Sequence, residues 1–155
     1  MVERVTEKVI ARAKAVQILK KLPVFDGLLE DEYFKVIGMC SSTSLKKDEV
    51  LFRQGDDGQV CYILLSGGIN INVEGVGTIH VMKPGEVLGE IGLVTKTQRT
   101  ATAVAKEDSV MLRLYAEILH EVVKKYPRIG YIIMLNIAKI LAERLKVQNN
   151  TKKAK

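Results

Sequence analysis

No tryptophan, two cysteines, two histidines and three prolines occur in these 155 residues, and each scarcity removes a class of function. Cys40 and Cys61 lie far apart and have no C-x-x-C spacing, which excludes a disulfide framework or a thiolate metal site. Both sit in apolar surroundings and read as buried free thiols. His80 and His120 fall on different stretches with no H-x-H and no carboxylate at ligand spacing, so no metal or cofactor site is expected. Each reads as a strand or surface histidine. Neither a Ser-His-Asp set nor a reactive-cysteine arrangement is present, so no catalytic residue is assigned and an enzyme is not expected. Long apolar runs are missing too, and the N-terminus is charged and helical rather than signal-like, so the expectation is a soluble, cytoplasmic chain.

What the chain does hold is one domain's worth of sequence, enough to bury a core. Its net charge of +6 gathers partly in Lys146, Lys152, Lys153 and Lys155, where residues 148–155 read as a polar, basic, disordered tail. Four lysines make no nucleic-acid site. The expected class is α+β, a single domain over residues 1–147. It comprises N-terminal helices over 1–40, an antiparallel, jelly-roll-like β-roll over 43–114 and two C-terminal helices over 115–147.

The patterning supports that division. Val5, Val9, Val16 and Leu19 recur at helical spacing from Arg4 to Lys21, and Pro23 stops that helix. A second helix, Glu30 to Met39, is expected to turn Tyr33, Phe34 and Ile37 to the core. Nine of the twelve glycines lie between Gly55 and Gly92, separating short runs of Val, Ile and Leu. The expected strands are Val50–Arg53, Val60–Leu65, Ile69–Val73, Thr78–Met82, Thr100–Ala105 and Val110–Leu114. The helical period then returns over Ala116 to Lys125, and Pro127 opens a last helix to Val147. Between Ile129 and Leu141 only Asn136 and Lys139 are polar, so that helix should bury more than one face. One face fits the roll; the other fits the N-terminal helix or the same helix of a second copy.

The chemistry concentrates between Gly85 and Ala103. Gly89-Glu90-Ile91-Gly92-Leu93 can wind one short helical turn whose free N–H groups face an anion. Gly89 and Gly92 admit close backbone approach. Arg99 can add a charge-assisted, bidentate contact to a phosphate, and Glu90 can accept a hydrogen bond from a sugar hydroxyl. Together they suit a small sugar-phosphate.

This segment resembles the phosphate-binding cassette of the cyclic nucleotide-binding domain family, which commonly reads Phe-Gly-Glu-(Leu/Ile/Met)-Ala-Leu followed by Pro-Arg-x-Ala-Thr. Here Leu88-Gly89-Glu90-Ile91-Gly92-Leu93 is followed by Gln98-Arg99-Thr100-Ala101-Thr102 at the same separation. Upstream, Glu49–Asp56 and Tyr62–Gly67 are similar to the family's roll strands and turns, Leu22–Leu28 to its helical lead, and Tyr126-Pro127 to the break between its last helices. The likeness covers about Leu22 to Leu145.

The resemblance implies that Glu90 binds the ribose hydroxyl and Arg99 the phosphate, with backbone contacts from Gly89, Ile91 and Gly92. It places Thr100 against the phosphate or the base, and Val73, Val81 and Leu88 as apolar walls for the base. The departures are Leu88 for Phe, Gln98 for Pro, and Gly92 for Ala, the last expected to loosen the short helix slightly. The implied function is a regulatory domain, a ligand sensor in signal transduction, that binds cAMP in preference to cGMP and then repositions its C-terminal helices. Ile91, Leu93 and Val94 would repack, with Asn136, Lys139 and Arg144 as polar lid candidates. The alternative is an inert roll serving as a structural or interaction domain. Eight residues after Val147 leave no room for a helix-turn-helix reader, so a transcription regulator, channel or kinase subunit is expected only if the chain is a fragment. Expected partners are the nucleotide and, through the last helix, a second copy or an effector protein, with no nucleic acid and no membrane insertion.

Overall fold

The structure is a computed structural model and describes residues 12–153. The expected first helix is present over 12–19 (α1); its earlier part, with Val5 and Val9, lies outside the described residues. A 3-10 turn, Pro23–Phe25, leads to α2 (Glu30–Met39). Eight strands follow: β1 Ser41–Leu45, β2 Val50–Phe52, β3 Val60–Ser66, β4 Ile69–Val73, β5 Gly77–Met82, β6 Val87–Leu88, β7 Thr102–Ala105 and β8 Ser109–Tyr115. A second 3-10 turn, Glu90–Leu93, sits between β6 and β7, and α3 (Ala116–Lys125) and α4 (Pro127–Lys153) complete the described residues. The strands pair antiparallel in two four-stranded sheets, ordered β1-β8-β3-β6 and β2-β7-β4-β5. This is an α+β fold built on a β-roll flanked by helices.

Strand alternation makes β3 serve two cores at once. Cys61 and Ile63 join Leu112 and Leu114 of β8 in a core shared with the helices. Leu64, one residue out of phase, faces the roll interior with Phe52, Ile69, Ile71 and Met111. A strand buried on both faces reads as a near-continuous apolar run, which accounts for Val60–Leu65. To the same interior core Ala101, just before β7, and Ala103 and Ala105 on β7 contribute small side chains.

Three details depart from the sequence reading. On α2 the buried apolar positions are Tyr33, Val36 and Ile37, an i, i+3, i+4 stripe that leaves Phe34 exposed. β1 and β6 were not expected. Helix α4 continues beyond Val147 to Lys153, where a disordered tail was expected; lysine and glutamine carry good helix propensity, and Lys146 pairs with Glu143 one turn back.

The buried face of α4 presents Ile129, Ile133 and Ile137 to the helical core, which also contains Val16 and Leu19. Asn136, on the same helix, is buried, and its Nδ2 donates to the carbonyls of Val24 at 3.2 Å and Asp26 at 2.8 Å. Arg128 pairs with buried Glu32 and also donates to the Gly27 carbonyl. Glu32 in turn accepts from the Leu29 N–H at 2.7 Å, closing the first turn of α2. The first half of α4 is thereby fixed to the segment between α1 and α2.

Asn136→Ala removes the donor from two carbonyls and should lower the unfolding free energy by about 1–3 kcal/mol. Urea denaturation measures it, and an unchanged midpoint would discount this tether. The hydrogen bond from Arg128 holds the Glu32 carboxyl below its ordinary pKa. A depressed folded-state pKa adds stability above the ordinary carboxylate range, and that stability is lost as pH falls through the lowered value. Glu32→Gln should therefore be less stable than wild type at neutral pH, with a gap that narrows on acidification below about pH 4.

Candidate functional site

Both sheets, the Glu90–Leu93 turn, the Pro23–Phe25 turn and α4 contribute to a cavity of about 760 Å³, within the range that encloses a small organic ligand. Arg99 forms its inner wall. Its backbone is fixed on both sides, the N–H donating to Asp56 O and the carbonyl accepting from Gly55 N, each at 2.8 Å. Its guanidinium lies 4.2 Å from the ring centre of Phe52 and 5.5 Å from that of Tyr62, and Nη2 donates to the Val60 carbonyl. The side chain is only 8% exposed. Among the described residues no carboxylate pairs with it, and its buried Nε has no hydrogen-bond partner. Burial pushes its pKa down, while Tyr62, Cys61, Asp57 and Asp56 act in the other direction.

Gly89 explains how the guanidinium reaches the turn. Its φ is +84°, and a Cβ there would stand 2.2 Å from Arg99 Nη1. The left-handed backbone and the missing side chain are both required. Gly92 has a similar role. A Cβ on it would lie 1.7 Å from the Gly58 carbonyl oxygen, so the turn packs backbone to backbone on the loop before β3. The close approach that the absent side chain permits at Gly92 is to the Gly58 backbone.

Glu90 is 4% exposed and forms an ion pair through Oε1 with Nη2 of Arg144, on the second half of α4. With that pair neutral, Arg99 leaves one uncompensated positive charge in this part of the cavity, which matches the single negative charge of a phosphodiester. The buried Cys61 thiol lies behind, its pKa raised first by burial and then by the charge of Glu90; that of Cys40 is pushed up to about 12 by burial. Both are free thiols and neither is poised to react.

Of the expected site residues, Leu88, Gly89, Glu90, Ile91, Gly92, Arg99 and Thr100 all line the cavity. Val73 and Val81 do not. On β5 the side chains alternate, so His80 and Met82 face the cavity and Val81 turns away; Val73 lies at the hairpin end, opposite Gly77. The apolar walls are instead Phe52, Ile71, Met82, Val87 and Leu88, with Ile140 from α4. Of the three lid candidates, Arg144 reaches the site, Asn136 is a structural tether and Lys139 is exposed on α4. Leu93 is buried, whereas Ile91 and Val94 are about 40% exposed.

The family model for the cyclic nucleotide-binding domain matches residues 42–126. The chain belongs to that family. A curated relative, the cyclic AMP receptor protein of Thermus thermophilus, is 30% identical over 132 residues, covering 83% of this chain. This chain spans 59% of that relative's length. Among solved structures, the N-terminal domain of a Streptomyces coelicolor transcriptional regulator superposes with a TM-score of 0.77 at 23% identity, over 84% of this chain and 94% of that one. The regulatory domain of a Toxoplasma gondii kinase, solved with cAMP, has a TM-score of 0.66 at 26% identity, over 74% of this chain and 45% of that one.

Gly92→Ala, although alanine is common at this place in the family, should shift the turn off the Gly58 loop and destabilise the fold by about 1–3 kcal/mol. Thermal or denaturant unfolding tests this, and wild-type stability would contradict the close packing.

Proposed function

We propose that this domain binds a 3′,5′-cyclic nucleotide, cAMP in preference to cGMP, and acts as a regulatory module rather than an enzyme. The observation that carries the reading is buried Arg99, cationic and without a carboxylate partner among the described residues, on a cavity wall beside a glycine-opened turn. A cyclic phosphate fits it in charge and in hydrogen-bonding geometry. Glu90 would accept the ribose 2′-hydroxyl, and the apolar walls would hold the base. The preference for cAMP draws support from the receptor and the kinase domain whose names carry that ligand.

Switching would run through Arg144. In the pair with Glu90, α4 holds the carboxylate that the ribose needs, so ligand binding must rearrange the helix contact or share the carboxylate. Asn136 and Arg128 fix the first half of α4, which leaves the part beyond Ile137 to respond. The shift requires a ligand that binds the rearranged state more tightly. The receiving surface would be a second copy or an effector protein on the exposed stripe with Tyr131, Leu135 and Leu145.

Arg99→Ala should lower affinity for the cyclic nucleotide by about 2–4 kcal/mol, roughly 30- to 700-fold. A 2′-deoxy ligand should bind about tenfold more weakly than its ribo form to wild type, with the gap closing in Glu90→Gln. Fluorescent-nucleotide displacement reads both. Undiminished affinity in Arg99→Ala would sink the assignment.

A further inference from the structure

The charged and imidazole side chains that line the cavity fall into two groups. Glu90, Arg99 and Arg144 form one. The other is on the edge strands: His80, on β5, and Glu86, in the turn before β6, both line the cavity, with His80 Nε2 2.7 Å from Glu86 Oε2. The apolar side chains of Ile71, Met82 and Leu88 line the same cavity. The turn that carries Glu86 is held to β3 by two backbone bonds, Gly85 N–H to Leu64 O at 2.8 Å and Leu64 N–H to Glu86 O at 3.1 Å. Buried Met82 anchors the strand end beside it.

We propose that His80 and Glu86 form an acceptor pair that recognises the 6-amino group of an adenine base; this rests on the cyclic nucleotide reading above. Both side chains are about half exposed, and an ion pair of that kind adds little stability, so folding does not account for its place on the cavity wall. Its hydrogen-bonding character is one-sided. A carboxylate only accepts, and when neutral His80 donates from Nε2 to Glu86 its Nδ1 is left as an acceptor. The free capacity of the pair is therefore for N–H donors. A flat base whose phosphate is on Arg99 and whose face is on Met82 and Leu88 presents its polar edge to this wall. An amino group there finds an acceptor, and a base with none makes no hydrogen bond to the pair.

The test compares cAMP with purine riboside 3′,5′-cyclic phosphate, which lacks only the 6-amino group, on wild type, His80→Phe and Glu86→Leu. Binding is measured by calorimetry, with thermal unfolding to confirm that the variants are folded. Wild type should prefer cAMP by about tenfold, and the preference should fall toward one in Glu86→Leu and be reduced in His80→Phe. Equal binding of the two ligands to wild type would overturn the inference and leave the cyclic nucleotide reading standing. An equal loss for both ligands in the variants would make the pair structural and overturn it as well. Binding of neither ligand to wild type would remove the cyclic nucleotide reading, and this inference with it.

Discussion

Arg99 lies almost wholly out of water, stacked on Phe52 and Tyr62, with no carboxylate beside it among the described residues. Removing a cation from water costs several kcal/mol unless something restores the lost hydration. Two aromatic faces and the Val60 carbonyl restore part of it. Much of the surrounding structure follows from accommodating this one side chain. Gly89 must lack a side chain for the guanidinium to lie against the turn, and the turn in turn rests on Gly58 through Gly92. The strands on either side supply the rings. A buried charge with an orphaned donor is an arrangement that an anion completes.

The same cavity is connected to the helices by a second charge. Glu90 and Arg144 join the Glu90–Leu93 turn to the far half of α4, while Asn136 and Arg128 join its near half to the segment between α1 and α2. One helix thus has a part tethered to the segment between α1 and α2 and a part that contacts the cavity through Arg144. Coupling of this kind needs no long pathway. In the proposed binding mode the ligand and the helix would meet at one carboxylate, Glu90.

The sequence made the chemistry legible because cassette residues are local: the glycines, Glu90 and Arg99 lie within a dozen positions, and glycine-separated apolar runs mark the roll around them. It could not show tertiary partners. That Glu90 would face Arg144, or that Gly92 would press on Gly58, depends on how distant segments pack. β1 escaped notice because Ser41–Leu45 is polar and alternates only between half-buried and exposed, and β6 because two residues carry no period. Val73 and Val81, expected as apolar walls, do not line the cavity because hydrophobicity alone does not give strand phase; on β5 the cavity-lining positions are His80 and Met82. The same phase error hid His80, which the sequence offered only as a strand or surface residue.

The central claim is that Arg99 and its turn form a phosphate site for a cyclic nucleotide, and calorimetric titration of the full chain with cAMP, cGMP and linear AMP tests it most directly. Micromolar or tighter binding of a cyclic ligand, with the linear nucleotide much weaker, is the expected result. No heat and no thermal stabilisation with either cyclic nucleotide, from folded protein, would contradict it.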